Sequence, residues 1–331
     1  MSPSTFSLSE LLAPVHSGLE AMRCILSAEL SGEGLVGERT AHVARFRGKE
    51  LRAAMVLLSG QATGRSTPEH PQVAAVLELI HLATLVHDDV LDGADVRRSL
   101  PSVHSVWDEQ TAILMGDMLY SRAFHLSTCL DSNLAARVLS KSAQRICAGE
   151  LEQAARRYDF NMPQADYEEI ASAKTAELYA AACELGARYP DAPSQLPAPV
   201  AKLMRIFGEE LGLAFQIIDD VLDLTGEASV VGKSVGNDVE DGKVTLPVLH
   251  VYANVDETTR KAIRDAYQGP CDGGRMALLR VACDLTPGLE FARNRAYGLL
   301  TQALQRLQTL PDSDARRSLV QITEYVASRQ K

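Results

Sequence analysis

Apolar residues recur at helical spacing along most of the chain, and two stretches are apolar on nearly every side. Val73–Asp92 reads as a buried central helix, since a surface helix would carry only an apolar stripe. Its polar positions His81, Thr84, Asp88 and Asp92 are three or four residues apart and form one line along it. Leu211–Asp223 repeats the pattern with Gln216, Asp219, Asp220 and Asp223. Clusters of Gly, Pro, Asp and Ser predict breaks at Tyr189–Pro199, Thr225–Asp238 and Gly269–Gly274. Ser229–Val235 has β-branched residues but lies among Gly226, Gly232 and Gly236, so it reads as a loop. The pattern predicts about ten or more helices in an all-α, large single-domain bundle around a central cavity. No linker, charge block or solenoid repeat interrupts residues 1–331, so one domain is expected.

Composition agrees with helices. The chain is 46% hydrophobic but only 5% aromatic, and aromatic and β-branched residues are the usual strand builders. A net charge of −10 argues against a nucleic-acid-binding face, so cations for any anionic ligand must be clustered locally. Cys24, Cys129, Cys147, Cys183, Cys271 and Cys283 have no Cys-x-x-Cys spacing, which suits buried thiols of a reducing compartment. Met1–Leu12 has no signal-peptide pattern, and no apolar run reaches the roughly 20 residues that cross a bilayer. A cytoplasmic protein with no transmembrane segment is expected.

Asp-Asp-Val-Leu-Asp occurs twice, as Asp88–Asp92 and Asp219–Asp223. Like charges four apart destabilise a helix, and its C-terminal end disfavours negative charge. Two identical arrangements that oppose both effects call for a cation. Carboxylate oxygens are hard ligands suited to Mg²⁺, which keeps waters and substrate phosphates in its shell. One such motif could simply be an acidic helix end; two copies, each followed by a basic element, point to a diphosphate held through several Mg²⁺ ions. The neighbouring cations are Arg97 and Arg98, Lys233 in Gly-Lys-Ser-Val-Gly-Asn-Asp, and the string Arg47-Gly48-Lys49-Glu50-Leu51-Arg52. Guanidinium groups suit bidentate phosphate contacts, and lysine supplies a point charge.

From Arg45 to Pro247 the sequence resembles the trans-polyprenyl diphosphate synthase family. The resemblance rests on Ile80–Asp92 with Arg97-Arg98, and on Phe215–Asp223. Between these lie Gly116-Asp117 with Ser121–Phe124, Gly149-Glu150 and Lys174-Thr175-Ala176, and beyond them Gly232-Lys233 and Lys243–Pro247. It implies that Asp88, Asp89, Asp92, Asp219, Asp220 and Asp223 bind Mg²⁺ bridging to an allylic diphosphate. Arg97, Lys174, Lys233 and Lys243 would contact that diphosphate. Lys49, Arg52, His81 and Arg98 would hold isopentenyl diphosphate, and Thr175 and Gln216 would place oxygens near the developing carbocation. Asp88, Asp89, Asp92, Asp219, Asp220, Lys174, Thr175 and Gln216 form the catalytic set. The implied reaction breaks the allylic C1–O bond, joins the alkene of isopentenyl diphosphate to C1 and loses a proton to the departing diphosphate. His87, beside Asp88, reads as an orienting neighbour. The resemblance also implies a homodimer, with peripheral membrane contact for product release.

Three positions depart from the family pattern. The family usually reads Gly-Gly-Lys-Arg-x-Arg-Pro, but this chain has Glu50 in place of a cation and Ala53 in place of proline. Ser99 stands where a glycine usually follows the paired arginines. All three bear on affinity for isopentenyl diphosphate.

Ala83 and Thr84, about one turn before Asp88, are small, and a bulky aromatic there would close a product pocket early. With Met115–Phe124 they resemble long-chain synthases, so a product beyond C20 is expected. A C15 or C20 synthase remains the alternative if Leu77, Met118 or Leu119 closes the cavity sooner. A class I terpene cyclase would not need the second Asp-Asp-Val-Leu-Asp, and a non-catalytic subunit would not need to keep all six aspartates.

Overall fold

The computed structural model describes residues 7–46, 48–191, 199–225, 236–269 and 274–328. Among these the structure is helical apart from one two-stranded ribbon, so the all-α expectation holds. Contacts divide the chain into two compact units.

The first unit comprises residues 1–143, 178–208 and 304–323. It begins with α1 (Leu8–Leu11), α2 (His16–Glu29), α3 (Gly34–Val43) and α4 (Leu51–Ala62). The helix read from the sequence as Val73–Asp92 is α5 (His70–Leu91), started by a proline in its first turn and ended at Asp92 as C-cap. Next come β1 (Val96–Arg97), β2 (Leu100–Pro101), α6 (Val103–Val106) and α7 (Glu109–Thr128). The ribbon is antiparallel, with Val96 opposite Pro101. Helix α5 packs against α7, α4 and α2. Its Leu77, Leu79 and Ile80 are fully buried, each worth about 1.5–3 kcal/mol relative to exposure. The line foreseen on α5 is real: His81, Thr84 and Asp88, with the C-cap Asp92, are half-buried among neighbours that are mostly buried.

The second unit comprises residues 144–177, 209–303 and 324–331. The helices that contribute to it are α8 (Leu134–Ala155), α9 (Gln164–Ala171), α10 (Glu177–Arg188) and α11 (Pro199–Thr225). They are followed by α12 (Asn237–Glu240), α13 (Leu246–Asn254), α14 (Glu257–Tyr267), α15 (Gly274–Ala282), α16 (Thr286–Leu307) and α17 (Asp314–Ser328). Several run past the unit's edge and belong partly to the first unit. A π-helical turn, Ser172–Ala176, joins α9 to α10. Such turns recur at functional sites because they redirect side chains within a helix. The unit's core holds Phe160, whose ring lies 5.0 Å from both Tyr252 and Tyr267. The expectation of buried thiols holds for Cys183 but not for Cys24, Cys129 and Cys147, which fall on exposed positions of α2, the end of α7 and α8.

Candidate active site

In the first unit, the last turn of α5 carries Asp88 and Asp89 where the helix dipole resists them. The helix ends in a Schellman motif: Ala94 N–H donates to Asp89 O at 2.9 Å and Gly93 N–H to Val90 O at 3.3 Å. Gly93 takes φ +60°, which favours glycine. The stop is thus written into the residues that follow the motif.

Asp89 is 1% exposed, and its Oδ1 accepts from Arg97 Nε at 2.7 Å. Its Oδ2 is buried with no hydrogen-bond partner. Burial pushes this carboxyl above the ordinary range despite the pull of Arg97. A buried oxygen without a donor costs about 1–3 kcal/mol or more, and a hard cation would satisfy it. The donor chemistry at the first motif therefore fits Mg²⁺. Among the described residues, no group of three or more His, Cys, Asp or Glu side chains is arranged to hold a metal by protein atoms alone.

Arg97 lies on β1, and the turn to β2 is made by Arg98 and Ser99 at φ +51° and +62°. Two left-handed residues make the turn type that suits a tight hairpin, which explains the family's glycine at position 99. This conformation brings the Arg98 guanidinium back onto Phe46, whose carbonyl accepts from it. A Cβ at Gly48 would lie 2.4 Å from the same guanidinium, so Gly48 permits the approach. Arg52, at the start of α4, donates from Nη1 to His81 Nε2 at 3.1 Å and stacks 4.6 Å from the Tyr179 ring centroid. Because Nε2 accepts, His81 is neutral and carries its proton on Nδ1. Burial, followed by Arg52, Arg98 and Arg97, holds the His81 pKa well below the usual histidine range. Lys49, Arg52, His81 and Arg98 all lie in the first unit, with Arg52 bonded to His81.

Two departures from the family pattern acquire partners. Ala53 N–H donates to the buried Glu78 Oε1 at 3.1 Å, a bond that proline could not make. Glu50 meets Arg23 on α2, with Nε 2.8 Å and Nη2 2.6 Å from its Oε2. Near the first motif, Thr84 Oγ1 donates to His81 O at 2.8 Å and is half-buried, whereas Ala83 is fully buried. His87 Nε2 donates to Ile113 O at 3.1 Å, tying α5 to α7.

In the second unit, α11 carries the second motif. Asp220 is 4% exposed and both its oxygens accept: Oδ2 from Tyr167 Oη at 2.5 Å, and Oδ1 from Gln216 Nε2 at 2.7 Å. Thr175, on the π-turn, donates from Oγ1 to Gln216 Oε1 at 2.6 Å. A continuous chain of donors thus runs from Thr175 through Gln216 to Asp220. Burial, with Asp238 and Asp219 nearby, pushes the Asp220 carboxyl well above its ordinary range. Asp223 accepts backbone N–H groups of Gly236, Asn237 and Asp238 at 3.1–3.2 Å, and burial still raises its pKa. A carboxylate has about four lone-pair sites, so Asp223 keeps capacity for one more partner. Asp219 is half-buried on the same helix.

Lys174, next to Thr175, pairs with Glu150 Oε2 at 2.7 Å and donates to Gln153 Oε1 at 2.5 Å. Arg145 braces the same turn through Ser172 Oγ at 3.1 Å, Glu177 at 2.8 Å and Glu209 at 3.4 Å. Lys243 lies 3.0 Å from Asp241. Lys233 and Arg47 lie outside the described residues. Sequence reasoning missed Tyr167, Gln153 and Arg145, whose partners are 53, 21 and up to 64 residues away.

Residues 34–277 match the Polyprenyl synthetase family. The chain belongs to that family. By membership it is a prenyltransferase, an enzyme of prenyl diphosphate synthesis. It is 38% identical over 327 residues to heptaprenyl diphosphate synthase component 2 of Geobacillus stearothermophilus, covering 97% of each chain. A decaprenyl diphosphate synthase structure from Rhodobacter capsulatus superposes with a TM-score of 0.88 at 31% identity, over 98% of this chain and 100% of that one. A polyprenyl synthase from Caulobacter crescentus, solved with calcium and isoprenyl diphosphate, gives 0.88 at 29% identity over 98% of both. No helix among the described residues is long and apolar enough to cross a membrane.

Proposed function

We propose that the chain is a Mg²⁺-dependent synthase acting as one domain over residues 1–331, condensing isopentenyl diphosphate onto an allylic diphosphate to give a trans-polyprenyl diphosphate beyond C20. The observation that carries this reading is the orphaned buried oxygen of Asp89 beside Arg97, at the end of the helix bearing the first motif. The relatives named as heptaprenyl and decaprenyl synthases support the long product. The Caulobacter structure with calcium and isoprenyl diphosphate supports a divalent cation with a diphosphate.

Asp88, Asp89 and Asp92, and likewise Asp219, Asp220 and Asp223, would hold the Mg²⁺ ions, which when bound neutralise charge developing on the leaving diphosphate. Arg97, Lys174, Lys233 and Lys243 bind the allylic diphosphate. Lys174 reaches it by exchanging its pairing with Glu150. Lys49, Arg52, Arg98 and neutral His81 hold isopentenyl diphosphate, His81 through Nδ1–H. The Gln216 and Thr175 oxygens face the positive charge that grows at C1 as the C1–O bond breaks, with Gln216 oriented by Asp220. The apolar helices exclude water from that cation. The proton lost after C–C bond formation goes to the departing diphosphate.

We assign the protein to the cytoplasm as a homodimer, with peripheral membrane contact when its long product leaves. The naming of the Geobacillus relative as component 2 supports one other reading, that turnover needs a further component. Purified chain incubated with Mg²⁺, isopentenyl diphosphate and an allylic diphosphate decides between them. Elongation by the chain alone, lost in Asp88→Ala and Asp219→Ala, is expected. Normal Mg²⁺-dependent turnover by Asp88→Ala would refute the mechanism, and a sole C15 or C20 product would refute the chain length.

A further inference from the structure

Glu50 sits where the family pattern has a cation, next to two residues assigned to the diphosphate of isopentenyl diphosphate, Lys49 and Arg52. An unpaired carboxylate there would repel that substrate. Glu50 is also the N-cap of α4, at φ +51° and ψ 30°, a left-handed conformation that non-glycine residues adopt only when their surroundings compel it. It carries no side-chain cap of its own helix; its backbone carbonyl accepts from Ala54 N at 3.0 Å. The side chain instead turns toward α2, where Arg23 Nε and Nη2 both donate to Oε2. The Glu50 side chain is 10% exposed and that of Arg23 38%, so the pair is shielded mainly on the carboxylate side.

We propose that Arg23 is a positioning residue for the isopentenyl diphosphate subsite. It neutralises Glu50 and pins it in the left-handed conformation that begins α4. The backbone turn so fixed sets the direction of Lys49 on one side and Arg52 on the other. The remaining contacts of this loop agree. Glu78 takes the Ala53 N–H inside the first turn of α4, and Arg98 lies over Gly48 just before the loop. The loop is thus held at its start by Arg98, at its middle by Arg23 and at its end by Glu78. Of the three anchors, Arg23 alone lies outside the stretch Arg45–Pro247 over which the family resemblance runs. Electrostatically the pair replaces a missing cation by one on another helix: Glu50 with Arg23 sums to zero, leaving Lys49, Arg52 and Arg98 to face the diphosphate.

This inference rests on the assignment of that subsite, and the experiment separates the two. Steady-state kinetics on the full chain would compare Lys49→Ala, Arg23→Ala, Arg23→Lys and Arg23→Ala/Glu50→Gln. Lys49→Ala tests the subsite itself and must raise the KM for isopentenyl diphosphate. Given that, Arg23→Ala should raise the same KM by about tenfold, because it strands a largely buried carboxylate beside the anion. The KM for the allylic substrate should stay within about twofold, since no charge assigned to it pairs with Glu50. Arg23→Lys, which keeps the charge, should lie between Arg23→Ala and the native protein. The double variant should recover most of the loss, because it removes the stranded charge. If Arg23→Ala leaves the KM for isopentenyl diphosphate unchanged while Lys49→Ala raises it, the positioning role is wrong and the subsite stands. An equal rise for both substrates, or no recovery in the double variant, also overturns the proposal. Should Arg23→Ala fail to fold, Arg23→Lys together with Glu50→Gln carries the test, and native KM values in both would count against it.

Discussion

Tyr167 on α9 donates its hydroxyl to Oδ2 of Asp220 on α11 at 2.5 Å, and both residues are buried. Among the described residues, the second aspartate of the second motif is therefore held by two neutral donors, Tyr167 and Gln216. Tyr167→Phe would leave a buried carboxylate oxygen short of a partner. We expect a loss of about 1–3 kcal/mol of stability by chemical denaturation. Without that donor Asp220 is freer to swing from Gln216, so the Mg²⁺ needed for half-maximal turnover should rise. Unchanged stability and Mg²⁺ dependence would remove Tyr167 from the site.

His81 gives a pH prediction. Its folded pKa lies well below the unfolded value of about 6.5, so the folded state binds fewer protons than the unfolded one. The stability from neutral His81 is fully present above pH about 6.5 and is lost as pH falls through the folded pKa. His81→Gln should flatten the fall in stability as pH drops below about 6.5, measured by denaturant midpoints. A native protein whose stability does not depend on pH across that window would contradict this.

The three backbone donors on Asp223 make a further test. Asp223→Ala should release the amides of Asn237 and Asp238, while Gly236 N–H keeps its 2.9 Å bond to the carbonyl of residue 223, at a cost of about 1–2 kcal/mol, the usual value of a helix cap. Hydrogen exchange should quicken at the two released amides. Asp88→Ala should abolish turnover without this local signature, so the two motifs separate by exchange as well as by activity.

Thr84 is half-buried one turn before Asp88, and its neighbour Ala83 is completely buried. Thr84→Phe should shorten the products read by mass spectrometry. Ala83→Phe should shorten them too, while losing about 1–3 kcal/mol to overpacking. Product lengths identical to the native enzyme in both variants would place the product pocket elsewhere.

Ser99 takes φ +62° in the β1–β2 turn. Glycine relieves left-handed strain of about 1–2 kcal/mol but adds unfolded-state entropy, so Ser99→Gly should stabilise by about 0.5–1 kcal/mol. A drop in thermal midpoint would show that Ser99 makes a contact worth more than the strain.

The helices, and the carboxylate clusters from which metal binding is inferred, were legible in the chain because both are local. Repeating spacings of three and four place Asp88 and Asp92 in one line, and an apolar run around them can only be buried. Proline near the start of α5 and Gly93 just past its end set its limits to within a few residues of the expected ones. The ribbon of β1 and β2 was not legible, since two residues per strand leave no alternation to read. Partnership was not legible either. Read from the sequence, Glu50 is a lost cation and Ala53 a lost proline; in the folded chain Glu50 is neutralised by Arg23, 27 residues earlier, and Ala53 donates to Glu78, 25 residues later. Tyr167 and Asp220 are 53 residues apart. Helical periodicity and carboxylate chemistry act over a few residues, so composition and spacing determine them. The neutralisation of a shielded charge by a distant partner depends on which helices pack together, and tertiary structure alone decides that.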